Sequence, residues 1–143
     1  MTELEMRMQE MARQNPFAMN SNLELESAEP DRVVFRLAIK PEHKNFFGMV
    51  HGGAIYTMAD TAAGFAAQTD GRFYVTQTSA MHFLRNQGSG VVRAVATIRH
   101  RGKSTCLVAV DILSGDTGKL MATSEFTFFC VDKEIMDAKR DNR

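Results

Sequence analysis

The chain has 143 residues, 44% of them hydrophobic and 24% charged, with 17 Lys plus Arg against 17 Asp plus Glu. A chain of this length forms one domain with a sizeable core, and its zero net charge argues against a globally basic surface for nucleic acid. No run approaches the roughly 20 apolar residues of a membrane span, and the acidic start (Glu3, Glu5, Glu10) is unlike a signal peptide, so a cytoplasmic protein with no membrane partner is expected.

Residues 1–15 form the first segment. Leu4, Met8 and Met11 recur at helical spacing, and Asn15-Pro16 is expected to stop that helix. Its Met content supplies an adaptable apolar face. Two strands follow. Leu23 and Leu25 alternate with Glu24 and Glu26, and Glu29-Pro30-Asp31 turns the chain. Val33, Phe35, Leu37 and Ile39 then alternate with Val34, Arg36, Ala38 and Lys40, as in a half-buried strand. Pro41–Val50 follows neither period and reads as a loop.

Gly52–Gln68 is the one long interior helix. It is apolar nearly all round and rich in Ala, as expected of a helix buried on most sides. Four strands are expected after it, at 73–84, 91–100, 104–113 and 119–131. The turns between them are Gln87-Gly88-Ser89-Gly90, Arg101-Gly102-Lys103 and Ser114-Gly115-Asp116-Thr117-Gly118. Connections this tight make the strands antiparallel. Residues 132–143 form a charged tail. Cys106 and Cys130 lie in apolar runs without metal-ligand spacing and read as buried free thiols. The whole is a single α+β domain, residues 1–143, with one long antiparallel sheet wrapped around one central helix. An exposed flank of such a sheet must be covered or paired, which points to a homo-oligomer.

The densest group of chemistry-bearing residues is Asn45, Gly48, His51, Gly52 and Gly53, followed by Asp60. Gly52 and Gly53 open the buried helix, where unpaired N–H groups and the positive end of the helix dipole converge. Lacking side chains, they let a ligand oxygen approach the backbone, as an oxyanion hole requires. Asp60 sits in a run of Ala and Met, although Asp is a poor residue for a helix interior and an unpaired buried carboxylate is costly. A plain reading puts it on a polar stripe with Tyr56, Thr57 and Gly64. The functional reading is a carboxylate that attacks an acyl carbon or activates water.

Geometry constrains this pair. Eight residues of helix span about 12 Å, so one carbonyl cannot contact Gly52 and Asp60 of the same helix. Two antiparallel helices across a two-fold axis would set each Gly52 beside the partner's Asp60. Asn45 and His51 flank the site from the loop, where each could contact the carbonyl or only shape the loop. The sequence has no Gly-x-Ser-x-Gly elbow and no His-Glu-x-x-His or Cys-x-x-Cys metal signature.

The pattern Asn45-x-x-Gly48-x-x-His51-Gly52-Gly53-x6-Asp60 resembles that of the PaaI-like (phenylacetate-degradation type) hotdog-fold acyl-CoA thioesterases. Similarity extends to His82-Phe83-Leu84-Arg85, to Arg101-Gly102-Lys103-Ser104 and to the stretch Thr117–Ala122. The resemblance implies a long helix wrapped by a curved antiparallel sheet, assembly into dimers and commonly tetramers, and hydrolysis of an acyl-CoA with no metal or bound cofactor. It implies Asp60 as nucleophile or general base, the Gly52 amide as oxyanion donor, and Asn45 and His51 as supporting polar groups. A hydroxyl some sixteen positions after the Asp falls on Thr76, with Thr78 and Ser79 close by.

Relatives carry Pro soon after the Phe-Leu-Arg segment. This chain has Asn86–Gly90 instead, so a more flexible loop is expected there. Arg85, Arg99, Arg101 and Lys103, with Gly102, Ser104 and Thr105, are expected to gather at one set of strand ends as a phosphate patch for the coenzyme. Phe46, Phe47, Met49, Met58, Phe65 and the first helix are candidate walls for the acyl group, and Gly53 and Thr78 are further candidates for contact with the substrate. Two other readings compete: an enoyl-CoA hydratase or dehydratase, and a non-catalytic acyl-CoA sensor.

Overall fold

Small side chains on the long helix and on the strands beneath it decide how the layers meet. The structure is a computed structural model, and it describes residues 1–132 and Ala138. Apart from Asp132 and Ala138, the charged tail expected at 132–143 lies outside the described residues.

The elements are α1 (Glu3–Arg13), α2 (Pro16–Asn20), β1 (Glu24–Glu29), β2 (Arg32–Ala38), α3 (Gly52–Ala67), β3 (Phe73–Phe83), β4 (Val91–Arg101), β5 (Thr105–Ser114) and β6 (Leu120–Val131). Short 3-10 turns at Pro41–His43 and Gln68–Asp70 flank α3. One six-stranded sheet runs in the order β1-β2-β4-β5-β6-β3, and every pairing is antiparallel. Among the described residues, no helix is long and apolar enough to cross a membrane.

The helix α3 lies against the concave face of this sheet. Its Ile55, Met58, Ala59, Ala62, Ala63, Phe65 and Ala66 are buried. They meet alternate residues of the strands: Val92, Ala94 and Ala96 of β4, Val108, Val110 and Ile112 of β5, and Phe126 and Phe128 of β6. The run of Ala on both surfaces brings helix and sheet close. Phe35 of β2 meets Phe65 edge-on, with ring centres 5.0 Å apart. Each large, fully buried side chain of this core, such as Phe126 or Met58, contributes about 1.5–3 kcal/mol.

Two readings of the N-terminal half change. Asn15-Pro16 ends α1 but also starts α2, because Asn15 Oδ1 accepts the Ala18 N–H and proline at the first helical position sacrifices no hydrogen bond. The 41–50 loop contains a helical turn and a Lys44–Val50 bridge. Cys106 is buried as expected, whereas Cys130 is only half-buried.

The β3 strand has an irregular register. Thr76 faces Phe128 of β6, but Thr78 faces Thr127, so Gln77 is an extra residue, a β-bulge. Among the described residues β3 pairs only with β6 and forms one end of the sheet.

Candidate active site

At the start of α3, His51 is the N-cap. Its Nδ1 accepts the Gly53 N–H at 2.8 Å, and its own N–H donates to the His43 carbonyl at 2.7 Å. The two glycines therefore differ. A Cβ on Gly53 would lie 3.0 Å from His51 Nδ1, so Gly53 makes room for the capping ring. The Gly52 N–H has no partner among the described residues. It is the free donor at the helix's positive end.

Asp60 lies two turns further along, half-buried, and its Oδ1 accepts the Thr76 hydroxyl at 2.6 Å. The bulge makes this contact possible. In a regular strand Thr76 and Ser79, three residues apart, would take opposite faces. The extra Gln77 restores both to the α3 side, where Ser79 Oγ meets Tyr56 Oη at 2.5 Å. Thr78 pairs with Thr127 and takes the other face of the sheet, away from Asp60. Of the three hydroxyls expected near Asp60, the structure brings Thr76 to it.

Gly52, Tyr56 and Asp60 are spaced by four and form one stripe along α3. Phe83, Ser79 and Thr76 of β3 answer them in turn. Gly52 and Asp60 line separate cavities. Gly52 borders one of about 270 Å³ with Val50, Ile55, Phe83, Leu84, Arg85, Asn86, Met121 and Ala122. Asp60 borders an open groove of about 350 Å³ with Asn15, Gln68, Tyr74, Val75 and Thr76. Within one chain the two groups do not meet.

Asn45 organises its own loop. Its Oδ1 accepts the N–H groups of Phe47 and Met49 at 2.9 and 3.1 Å, and its backbone N–H donates to the Met49 carbonyl at 2.7 Å. Gly48, with φ of +76°, completes the turn. The loop displays Phe46 and Phe47, 96% and 79% exposed and packed edge to face on one another. Met49 is also exposed. Met58, Phe65 and Met8 of the first helix are core residues rather than walls of the Gly52 cavity. The 86–90 segment, expected to be loose, is tied down. Asn86 Nδ2 donates to the Val50 carbonyl at 3.0 Å, Gln87 Nε2 to the Ser89 carbonyl at 2.8 Å, and the Val50 N–H to the Gln87 carbonyl at 3.0 Å.

The expected cluster of basic residues does not form within one chain. Alternate ends of antiparallel strands fall on opposite sides of the sheet. Arg85, just past β3, lines the Gly52 cavity, whereas Arg99, Arg101 and Lys103 lie at the other end of β4. Arg101 turns inward. It donates to the carbonyls of Ala66 and Ala67, closing the C-terminus of α3, and pairs with Asp70 at 2.7 Å and Asp31 at 2.9 Å. Arg72 reaches across to the carbonyls of Gly102 and Lys103. Ser104 accepts the Cys130 N–H through its carbonyl. The turn at Gly102 is thus braced by its backbone, and the Lys103 and Ser104 side chains stay exposed.

This corner carries the altered acidities. Burial works against ionised Asp70, but bonds from Tyr74 and Arg72 and the charge of Arg101 outweigh it and hold the carboxyl below its usual range. Burial, then the bond to Asp70, pushes the Tyr74 phenol up to about 12. Among the described residues, no group of three or more His, Cys, Asp or Glu could hold a metal ion.

A central helix with a free N-terminal amide, a carboxylate two turns on and a sheet wrapped around both is an arrangement with known counterparts. A model of the Thioesterase superfamily matches residues 47–121. The chain belongs to that superfamily. It is 28% identical over 116 residues to the acyl-coenzyme A thioesterase PaaI of Escherichia coli, covering 75% of this chain and 83% of that one. It is 30% identical over 109 residues to 1,4-dihydroxy-2-naphthoyl-CoA hydrolase of Listeria monocytogenes, covering 73% and 87%. A solved point mutant of the phenylacetic acid degradation protein PaaI from Thermus thermophilus superposes with a TM-score of 0.77 at 29% identity, covering 82% of this chain and all of that one. The architecture is the hotdog fold of these thioester hydrolases, and the matched span contains Gly52, Asp60, Thr76 and Arg85.

Proposed function

We propose that the protein hydrolyses the thioester of an acyl-CoA to a free acid and CoA, at a site shared by two copies of the chain. The observation that carries this reading is the division of labour along α3. An unpartnered Gly52 N–H and a Thr76-held Asp60 lie on one helical stripe, about 12 Å apart. A two-fold axis passing near Tyr56, midway between them, would set Gly52 of one subunit beside the partner's Asp60. The position of β3 at the end of the sheet among the described residues, with Tyr56, Val75 and Phe83 exposed beside it, supplies the surface such a partner would cover.

In this arrangement the thioester oxygen accepts the Gly52 N–H. Asp60 from across the interface attacks the carbonyl carbon or takes a proton from the water that does. The negative charge then developing on the oxygen is stabilised by the helix terminus. Collapse of the intermediate expels the CoA thiolate, which takes up a proton; in the branch where Asp60 attacks, water then hydrolyses the acyl–Asp60 anhydride, releasing the acid and restoring the carboxylate. Thr76 is a positioning residue that fixes the carboxylate. Asn45 shapes the flanking loop, and His51 caps the helix, leaving Gly52 as the free donor. The same axis would bring Arg85 of one subunit toward the Lys103-Ser104 turn of the other, assembling from two chains the phosphate contacts that one chain keeps apart. The reaction needs only water besides the acyl-CoA.

Within one chain Asp60 is held by Thr76 and His51 caps the helix at Gly53, roles that favour a carboxylate working with the Gly52 amide over the Asp–His pair a hydratase would use. A cytoplasmic location accords with the two free thiols. Thiol release from a panel of acyl-CoAs, for wild type and Asp60→Asn side by side, tests the reading. Release by wild type and its loss in a folded, dimeric variant are expected. No release from any acyl-CoA would overturn it.

A further inference from the structure

The cavity beside Gly52 says more than that an acyl group binds. It touches the free Gly52 amide at the start of α3, and apolar side chains make up most of its wall: Val50, Ile55, Leu84, the Phe83 ring, Met121 and Ala122. Asn86, its polar neighbour, is already engaged with the Val50 carbonyl, and Arg85 belongs to an exposed stretch. The larger cavity on the far side of the helix start, about 510 Å³, also has apolar walls, from Phe17, Leu23, Leu37 and Ala54. It carries Asn20, Ser21, Glu42, His43 and Thr57 and does not include Gly52. An apolar group attached to a carbonyl at Gly52 has this mostly apolar compartment directly beside it, the one that includes Gly52 itself, and a pantetheine arm with two amides would leave polar atoms unmatched there.

Resting on the thioesterase reading above, we propose that this cavity is the acyl chamber, and that Met121 and Phe83 set the size of the acyl group it accepts. Met121 is 2% exposed and forms a wall deep in the cavity. Its position is fixed by its own backbone, because the Met121 carbonyl accepts both the Leu84 N–H at 2.8 Å and the Arg85 N–H at 3.0 Å. Phe83 stands over Gly52, with ring carbons 3.5 Å from where a Cβ would be.

The volume fixes the class. A dry cavity of about 150 Å³ holds benzene, or roughly 25 Å³ per carbon. About 270 Å³ therefore holds on the order of nine to eleven non-hydrogen atoms. An arylacetyl group or a chain of about eight carbons fits, and a sixteen-carbon chain does not. The selected substrates are compact apolar acyl-CoAs, not long-chain ones.

The test measures kcat/KM by thiol release for butyryl-, octanoyl-, decanoyl-, phenylacetyl- and hexadecanoyl-CoA, with wild type, Met121→Ala and Phe83→Ala. Wild type should prefer octanoyl- or phenylacetyl-CoA over hexadecanoyl-CoA by about a hundredfold or more, since each methylene that does not fit costs roughly tenfold or more. Met121→Ala removes three heavy atoms and should move the chain-length optimum up by about two or three carbons. Phe83→Ala, at a position 57% exposed in the single chain, should relax the cut-off in the same direction and serves, with its dimer verified, if Met121→Ala does not fold. A wild-type optimum beyond twelve carbons, or an optimum unmoved in the folded variants, overturns the chamber while leaving the thioesterase standing. No hydrolysis of any acyl-CoA overturns both.

Discussion

Replacing Gly52 by proline removes one N–H and little else. Gly52 is the first residue of α3, where proline is favoured because that amide has no helical partner. His51 before it has φ −68° and ψ 138°, the extended conformation a following proline requires. A Cβ at Gly52 meets the Phe83 ring at 3.5 Å, an ordinary contact. The fold should therefore hold, with Tm within a few degrees of wild type. Losing one oxyanion donor costs about 2.7–4 kcal/mol of transition-state stabilisation, so kcat should fall roughly 10²–10³-fold. Gly52→Ala fills the same space but keeps the N–H and should lose no more than a few-fold. The assay is continuous thiol release with a disulfide dye, alongside thermal melts of both variants. A Gly52→Pro enzyme that melts like wild type and turns over like wild type would refute the assignment of this amide.

Thr76→Val should lower kcat about tenfold, the low end for a hydrogen bond to a charged group at a half-open site, and Thr76→Ser should restore most of it in the same assay. Arg101→Ala removes one donor from each of two carboxylates and two helix-terminal carbonyls, at a cost of about 2–4 kcal/mol; at ~2–4 °C per kcal/mol for a chain this size, Tm should drop about 5–15 °C, while Lys103→Ala leaves it unchanged. Asp70 is held below its unfolded acidity, so its contribution is fully present above the unfolded value near 3.9 and is lost as pH falls through the lower folded one. Tyr74 acts in the opposite sense, its contribution present below about pH 10 and lost as pH rises toward about 12. Melts from pH 2 to 12 should show the Tm gap between wild type and Asp70→Asn closing at the acid end.

Periodicity carried much of the architecture. The apolar Ala-rich run gave α3 to within a residue, and the Gly-containing turns gave the four later strands, because both signals are local. The family resemblance implied a hydroxyl near Asp60 at Thr76, with Thr78 and Ser79 close by, and the structure joins Thr76 to Asp60 at 2.6 Å. What stayed hidden was set by tertiary contacts or by residues with two meanings. Pro16 stops one helix and opens another. The Gln77 bulge leaves no mark in composition, yet it decides which hydroxyls face Asp60. The role of Arg101 depends on Asp31 and Asp70, which are 70 and 31 residues away, so its turn resembled a surface patch until the chain was folded. Phe83 and Met121 looked like ordinary strand residues, and only the register of β3 on β6 brings them together around Gly52.

The central claim is that one thioester is cleaved by groups from two chains, and complementation tests it most directly. Asp60→Asn and Gly52→Pro, each nearly inactive alone, would be unfolded together, refolded and assayed for thiol release. Random pairing makes about half the dimers mixed, each with one intact site of two, so about a quarter of wild-type activity should return. A mixture that forms mixed dimers yet stays as inactive as its parents would place Gly52 and Asp60 in the same chain's site and contradict the account.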